Sequence, residues 1–361
     1  MATKIVYVSE GFITKKQLED RSIPEMFGKL GDVEYSFTED TAARDGCLAA
    51  CGGDAQEAMR MANQRLEKEG PNWVRQTPEF LQSIQDADVI VIHYSGAGKQ
   101  FFEAAKNLKL LCVMRSGVEN VDIGEAKKRG IIVTAAAARA ADPVADMAVL
   151  LMLALMRKLP RDNMAGTGKW KSTPMDEGMM KNSVVGLFGF GNIAQRVAAR
   201  FTGFGAKFLA YDPWANPEKI QEYGVEQVDS IEELFRRSDF ISVHARYNKP
   251  GEPNCNYHVI DEKLLREMKP TAYFVNTARA GLVDYDALTR ILQEKAIAGA
   301  GLDVFDPEPL PDNHPLLLLD NVIVTPHVAG NGGDFILRSI ESPLHEIRHY
   351  LTDQKFECRK G

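Results

Sequence analysis

Gly189, Gly191 and Ala194 have the spacing Gly-x-Gly-x-x-Ala, directly after the apolar run 185–188 and before a helical pattern. This spacing is typical of the turn that holds the pyrophosphate of a dinucleotide at a helix N-terminus. Gly189 would permit the tight turn, Gly191 would let the backbone approach the phosphates, and Ala194 would let the helix pack closely. Ordinary turns and loops produce the same spacing, so the glycines alone are weak evidence.

Asp212 strengthens the prediction of a dinucleotide site. It ends the apolar run 208–211, about 20 residues after the last glycine, where an acidic side chain accepts a hydrogen bond from the ribose 2′-hydroxyl. A carboxylate at this point repels a 2′-phosphate, which favours NAD over NADP. The alternative interpretation is a turn residue at the end of a strand, followed by Pro213.

Arg279, Glu308 and His327 each follow a predicted strand downstream of the glycines. Singly, such residues are usually surface or turn residues. Together they suit hydride transfer at a 2-hydroxy or 2-keto acid: the guanidinium binds a carboxylate, the imidazole exchanges a proton, and the carboxylate orients the imidazole and raises its pKa. Asp303 is placed to accept a hydrogen bond from a nicotinamide carboxamide, or else to cap a turn.

The elements that position these residues alternate between strand-like and helix-like runs, which predicts an α/β protein with parallel sheets. The length of 361 residues predicts two domains. A long apolar helix is expected over 143–158, and a final helix from about 334 to 351. The alternation of strands and helices is interrupted from about 38 to 78, where the sequence predicts an insertion with an exposed helix over 55–69. The predicted strands are 5–8, 33–37, 89–93, 110–114, 131–134, 184–188, 208–211, 240–243, 272–275, 297–302 and 322–325.

Composition excludes several classes of protein. The formal net charge of −7 argues against a nucleic-acid partner. The most apolar stretch, 148–156, is too short to span a membrane. An odd number of cysteines without a Cys-x-x-Cys pair predicts a reducing, cytoplasmic setting, and no metal site is expected at Cys47 and Cys51. The five cysteines are Cys47, Cys51, Cys112, Cys255 and Cys358.

With these motifs the chain resembles the D-isomer-specific 2-hydroxyacid dehydrogenase family, over most of its length. The resemblance implies that Arg279 binds and polarises the substrate, that His327 is the general acid and base, and that Glu308 is its partner. It places the substrate carboxylate on backbone amides of Ser116, Gly117 and Val118. It implies NAD as cofactor, contacted by Gly189, Gly191, Asn192, Ile193, Asp212, His244, Ala245, Thr277 and Asp303.

The resemblance also implies a domain organisation. Residues 1–138 and 331–361 would form a discontinuous, flavodoxin-like substrate domain that carries the insertion at about 38–78. Residues 139–330 would form a doubly wound Rossmann domain for NAD. The family is usually homodimeric through its nucleotide domains, with the long helix in the contact.

The chain departs from the usual family pattern on the substrate side. Alanines occupy 135–138, where the family commonly has Asn-x-Pro-Gly-x-Asn, and Ala245-Arg246 follows His244 in place of a common His-x-Pro. These changes suggest an altered substrate pocket, in which Arg139 or Arg246 would bind a second anionic group.

Two other functions fit the same motifs. A dinucleotide-sensing interaction protein, similar to the family's corepressors, would keep the fold and bind partners. An oxidoreductase on the same fold would act on formate or phosphite.

Overall fold

A computed structural model describes residues 2–19, 32–136, 139–159, 178–332, 335–356 and 359–360. Strands and helices alternate through these residues, as predicted. The strands are β1 (Thr3–Ser9), β2 (Val33–Glu39), β3 (Val89–Ile92), β4 (Leu110–Val113), β5 (Ile132–Ala135), β6 (Val184–Phe188), β7 (Lys207–Tyr211), β8 (Glu226–Gln227), β9 (Phe240–Val243), β10 (Tyr273–Asn276), β11 (Gly299–Leu302), β12 (Val322–Val324) and β13 (Arg359–Lys360).

Helices connect most of the strands, and several begin at a side-chain cap such as Asp122 or Ser230. The helices are α1 (Lys15–Glu19), α2 (Ala42–Ala50), α3 (Ala55–Glu69), α4 (Pro78–Ser83), α5 (Lys99–Ala104), α6 (Ile123–Lys128), α7 (Ala141–Met156), α8 (Asn192–Phe201), α9 (Pro217–Glu222), α10 (Ile231–Arg237), α11 (Glu262–Leu265), α12 (Tyr285–Gln293) and α13 (Phe335–Leu351).

The chain divides into two compact units, Met1–Arg139 with Gly333–Gly361, and Ala140–Gly332. The first unit is built on a sheet in the order β13-β5-β4-β3-β1-β2. All its neighbouring strands are parallel except β13, which pairs antiparallel with β5. Strand β3 is buried at every position, because helices cover both faces of such a sheet. On one face α13 buries Ile340, Leu344 and Ile347 in the same cluster as Ile5 and Tyr7.

The second unit contains a fully parallel sheet in the order β12-β11-β10-β9-β6-β7-β8. The chain runs outward from β6 to β8 and then returns to the other side of β6 at β9. This reversal creates the crevice at which open α/β sheets bind ligands, beyond the carboxyl ends of the strands. The predicted α/β class with two parallel sheets is confirmed.

Several predicted elements differ in detail. The two-residue strands β8 and β13 were not predicted, since two residues carry no periodic pattern. Helix α7 begins and ends about two residues early, and α13 begins at Phe335, Asp334 lying outside the described residues. No described helix combines the length and the apolarity that crossing a membrane requires.

The stretch 38–78 contains the predicted helix α3, but the prediction that this helix is exposed is wrong. Its residues Ala58, Ala62 and Leu66 recur every fourth position and are fully buried. They pack in one cluster with Trp73 and Tyr94. The small side chains at this spacing form one apolar face, so the stretch is part of the core of the first unit.

Candidate active site

The glycine turn lies between β6 and α8, at the point where the strand order reverses. Gly189 has φ +90°, and a Cβ on it would lie 2.6 Å from the backbone nitrogen of Ala245. A side chain is therefore excluded twice, by the backbone conformation and by the close approach of the segment after β9.

Gly191 opens α8 under different constraints. No atom of the described residues lies within 4 Å of the position that a Cβ would take on it, and α8 has no side-chain cap at its N-terminus. The first N–H groups of the helix are therefore available to an anion. Ala194, in the first turn, is fully buried against the sheet. The site fits the pyrophosphate of a dinucleotide.

Asp212 follows β7 and lies beside the glycine turn. Its Oδ2 accepts a hydrogen bond from the backbone N–H of Phe190 at 2.8 Å, and its Oδ1 accepts one from Trp214 at 3.0 Å. The hydrogen bond from Trp214 is a turn interaction, which agrees with the alternative interpretation of Asp212 as a turn residue. A carboxylate oxygen accepts more than one hydrogen bond, so contact with a ribose stays a prediction.

His244 and Thr277 follow β9 and β10, on the same edge of the sheet. Among the described residues, His244 Nδ1 and Thr277 Oγ1 are buried atoms without a hydrogen-bond partner. His244 Nε2 lies 2.9 Å from Ser242 Oγ, and burial lowers the pKa of His244 to about 3. The imidazole is therefore neutral. Buried polar atoms without partners are uncommon in folded proteins, and these two fit a polar ligand at this edge.

Asp303 follows β11 and is fully buried. Its carboxylate accepts hydrogen bonds from Thr325 Oγ1 at 2.6 Å, and from the backbone N–H groups of Val328 and Ala329 at 2.9 Å each. These contacts agree with the alternative prediction of a capping role. Asp303 therefore fixes the loop that carries His327.

His327 and Glu308 form a hydrogen-bonded pair, with 2.8 Å between His327 Nδ1 and Glu308 Oε2. The other oxygen, Oε1, accepts a hydrogen bond from the backbone N–H of Phe305 at 2.7 Å. The His327 side chain is 49% exposed, so Nε2 is the nitrogen left for a reacting molecule. His327 also has φ +52°, which is uncommon for a residue with a side chain.

The pair shifts the pKa values of both groups in opposite directions. The hydrogen bond to Glu308 raises the pKa of His327, against the effects of burial and of the nearby Arg279. Burial works to raise the pKa of Glu308, but the hydrogen bonds from His327 and Phe305 outweigh it and lower that pKa. The imidazolium and the carboxylate thus stabilise one another.

Arg279 follows β10 and is exposed. Asn276, the last residue of the strand, accepts a hydrogen bond from the N–H of Ala278 at 3.0 Å and donates one to the carbonyl of Arg279 at 3.2 Å. The second unit therefore presents Arg279, Glu308 and His327 together. This arrangement suits an anionic substrate and a proton-transfer step.

Ser116, Gly117 and Val118 lie in the first unit, after β4. Ser116 Oγ donates to the carbonyl of Ala136 at 3.3 Å. Within the described part of the chain, no backbone N–H of these three residues donates a hydrogen bond. Three adjacent free donors suit a carboxylate. Of the alanine run, Ala137 and Ala138 lie outside the described residues.

The two arginines singled out from the sequence have different environments. Arg246 is exposed in the loop after β9, where its carbonyl accepts a hydrogen bond from Asn256 at 2.7 Å. Arg139 is partly buried in the first unit and donates to the carbonyl of Met114 at 2.6 Å.

Three functional candidates in the first unit were missed by the sequence analysis. Glu10, His93 and Arg115 are buried and follow β1, β3 and β4. The signal was present, since His93 and Arg115 are titratable residues directly after apolar runs and Glu10 is separated from one by Ser9 alone.

No cluster of three potential metal ligands is found among the described residues. Cys47, Cys51, Cys112 and Cys255 are free thiols, and Cys358 lies outside the described residues.

Comparison with known proteins identifies relatives over most of the chain. Residues 149–329 match the family described as D-isomer specific 2-hydroxyacid dehydrogenase, NAD binding domain. The glyoxylate reductase of Thermococcus litoralis is 38% identical over 283 residues, which are 76% of this chain and 80% of that protein. The hydroxypyruvate reductase of Thermotoga maritima is 36% identical over 280 residues, 76% and 86% of the two chains.

Solved structures share the fold. The NAD-complexed D-isomer specific 2-hydroxyacid dehydrogenase of Lactobacillus delbrueckii ssp. bulgaricus has a TM-score of 0.74 and 23% identity, over 99% of this chain and 100% of that one. The D-lactate dehydrogenase of Lactobacillus jensenii with NAD+ has a TM-score of 0.72 at 23% identity, with the same coverage.

The environment of Gly191 gives a prediction that separates ligand binding from folding. Gly191→Ala adds a methyl group that meets no atom of the described residues, so the melting temperature should stay unchanged. NADH affinity should fall at least about tenfold, or about 1.4 kcal/mol, because the methyl group occupies the approach of the pyrophosphate. Fluorescence titration with NADH measures the affinity.

Gly203→Ala is the matched control, since a Cβ there also meets nothing within 4 Å and the residue lies after α8. It should alter neither quantity. Unchanged NADH affinity in Gly191→Ala would contradict the placement of the pyrophosphate.

Proposed function

We propose that this chain, which belongs to the D-isomer-specific 2-hydroxyacid dehydrogenase family, works mainly as a reductase of small 2-keto acids. His327 is the proposed proton donor. As a member of this family the chain is an NAD-dependent enzyme that transfers hydride between NAD(H) and a 2-hydroxy or 2-keto acid. The observation that carries the proposal is the hydrogen bond of 2.8 Å between His327 and Glu308. The reductive direction is supported by relatives named glyoxylate reductase and hydroxypyruvate reductase.

When bound, NADH would supply the hydride for reduction at C2 of the substrate. In the reductive direction, His327 gives the proton from Nε2 to the carbonyl oxygen as negative charge develops there. Glu308 holds Nδ1, which fixes the orientation of the ring and keeps the imidazolium available through the raised pKa. In the oxidative direction, neutral His327 takes the proton from the hydroxyl group.

Arg279 is assigned to substrate binding and polarisation. Its guanidinium donates to the keto acid with two parallel hydrogen bonds, a geometry that Lys does not reproduce. The free backbone N–H groups of Ser116, Gly117 and Val118 are assigned to the substrate carboxylate, as the family resemblance implies.

The cofactor-binding set is also part of the proposal. Gly189 and Gly191 shape the turn, the start of α8 faces the pyrophosphate, and Asp212 binds the ribose hydroxyls. The buried atoms His244 Nδ1 and Thr277 Oγ1, which have no hydrogen-bond partner among the described residues, support a polar cofactor beside the sheet edge. The complete set is Gly189, Gly191, Asn192, Ile193, Asp212, His244, Ala245, Thr277 and Asp303.

A cytoplasmic location is proposed from the thiols. The described cysteines are all free, and Cys47 and Cys112 are buried, as expected in a reducing compartment. Immunodetection in fractionated cells tests this, and recovery from an oxidising compartment would contradict it.

A variant of His327 tests the proton donor. His327→Ala should lower kcat for 2-keto acid reduction by about 10²–10⁴-fold, while NADH affinity stays near the wild-type value because the ring belongs to the substrate chemistry. Stopped-flow absorbance at saturating NADH measures kcat, with the best substrate of a panel of 2-keto acids that includes glyoxylate, pyruvate, hydroxypyruvate and dicarboxylic or phosphorylated members. His314→Asn is the control, since His314 caps a short helix that Asn also caps, and it should keep kcat. An equal loss of NADH binding and turnover in His327→Ala would contradict the assignment.

A homodimer through the second unit is proposed from α7. Leu150 on this helix is 56% exposed, whereas its neighbours Leu151 and Met152 are buried. Light scattering should give about twice the chain mass of 40.0 kDa, and Leu150→Glu should give the monomer, because a charge in an apolar contact is costly. A monomeric wild type would exclude the proposal.

A further inference from the structure

A group of polar side chains, here called the buried polar cluster, occupies the carboxyl edge of the sheet in the first unit. Each member follows the end of a strand: Glu10 after β1, His93 and Tyr94 after β3, Arg115 after β4 and Arg139 after β5. All but the partly buried Arg139 are less than 9% exposed. Charged residues are almost never this buried without partners.

Several atoms of the cluster have no hydrogen-bond partner among the described residues. They are Glu10 Oε2, His93 Nδ1 and Arg115 Nη1, together with the side-chain oxygen of the adjacent Asn120. A buried polar atom that stays unpaired destabilises the fold. A group of unpaired donors and acceptors at one sheet edge therefore points to a polar ligand that completes them.

The charge of the cluster selects the class of ligand. Burial raises the pKa of Glu10 to about 8, so this acid is largely neutral near pH 7. Burial lowers the pKa of His93 well below its usual range, with help from Arg139 and Arg115, so this ring is neutral too. Burial lowers the pKa of Arg139 only to about 10. Burial also raises the pKa of Asp40, which follows β2 and lies near Glu10. Guanidinium groups stay protonated in proteins, so Arg115 and Arg139 supply positive charge to the cluster and the ligand should be an anion.

Arg115 is held in place for such a role. Its guanidinium carbon lies 5.0 Å from the centre of the Tyr94 ring. Its Nη2 is 4.0 Å from the carboxylate of Glu119, whose side chain is 46% exposed. This weak, hydrated contact leaves the cation of Arg115 largely uncompensated.

The stretch 38–78 forms one wall of the cluster. Trp73 Nε1 donates to the carbonyl of Tyr94 at 3.0 Å, and Gln76 Nε2 donates to the carbonyl of Gly96 at 2.8 Å. The stretch therefore fixes the segment after β3 and removes its side chains from water.

We propose that the buried polar cluster binds a second anionic group of the substrate, a carboxylate or a phosphate, with Arg115 and Arg139 as its cationic ligands. Arg115 directly precedes Ser116–Val118, so the inference rests on the proposed function of that loop. The preferred substrates are then 2-keto acids with an acidic side chain, and glyoxylate and pyruvate are poor ones.

The test compares a diacid with its neutral isostere. Oxaloacetate and its monoamide 2-oxosuccinamate differ at the distal group alone, and 3-phosphohydroxypyruvate with hydroxypyruvate gives the phosphate arm. In the wild type, kcat/KM for at least one anionic member should exceed that of its neutral partner at least tenfold. Arg115→Met should lower kcat/KM for that anionic member at least ten times more than for the neutral one, chiefly through KM. Arg115→Lys should retain part of the preference.

Arg129→Met is the matched control, since Arg129 belongs to the same unit and binds Glu125 at the surface. It should keep the wild-type preference. Melting temperatures show whether Arg115→Met is folded. If it is not, the same comparison of anionic and neutral substrates is made with Arg139→Met and Arg115→Lys. A wild-type ratio below threefold in both arms, or a ratio that survives in Arg115→Met, would overturn the inference.

Calorimetric titration of the enzyme with oxaloacetate and 3-phosphohydroxypyruvate separates this inference from the proposed function. If no keto acid is turned over, the proposed function fails. Binding of oxaloacetate or 3-phosphohydroxypyruvate that is lost in Arg115→Met would still support the anion site. Absence of both binding and turnover would overturn the site as well.

Discussion

The proposed proton-transfer site depends on the hydrogen bonds that the buried carboxylate of Asp303 accepts. This carboxylate lies at the end of β11 and accepts three hydrogen bonds from the loop at Thr325, Val328 and Ala329. Because these bonds hold both sides of His327, the residue keeps a left-handed backbone conformation that costs free energy. The imidazole is thereby directed to Glu308. Loss of Asp303 would leave buried N–H groups unpaired and release the imidazole to which the proton transfer is assigned.

The same principle operates at each strand of the second sheet. Asn276 organises the turn that presents Arg279, and Asp212 binds the N–H of Phe190 within the glycine turn. Parallel strands bring their carboxyl ends to one edge, so polar residues distant in sequence are collected there. Short side chains at the strand ends fix the loops, and the longer ones are those assigned to the ligands.

Much of this arrangement could be predicted from the sequence because it is encoded locally. Gly189 follows an apolar run, and the structure requires glycine there on two counts. The strands β6 and β9 have the predicted bounds, since each is a short apolar run that is buried on both faces. The pairing of Glu308 with His327 needed the family resemblance, because nothing within either segment specifies the other.

The remaining features depend on contacts between distant segments. The two-residue strand β8 exists only because β7 lies beside it, and the buried face of α3 exists only because Trp73 and Tyr94 pack against it. Arg115 becomes buried only when the strand ends of the first sheet are brought together around it. Burial of a polar side chain is a property of the tertiary fold, so local pattern does not reveal it.

The pH dependence of the wild type and Glu308→Gln tests the central claim, that Glu308 sets the proton affinity of His327. In the reductive direction His327 must be protonated, so kcat/KM should fall as the pH rises through its raised pKa. Gln removes the charge that stabilises the imidazolium, so this fall should move to lower pH, while NADH affinity is retained. A fall at the same pH in both enzymes would show that another group donates the proton.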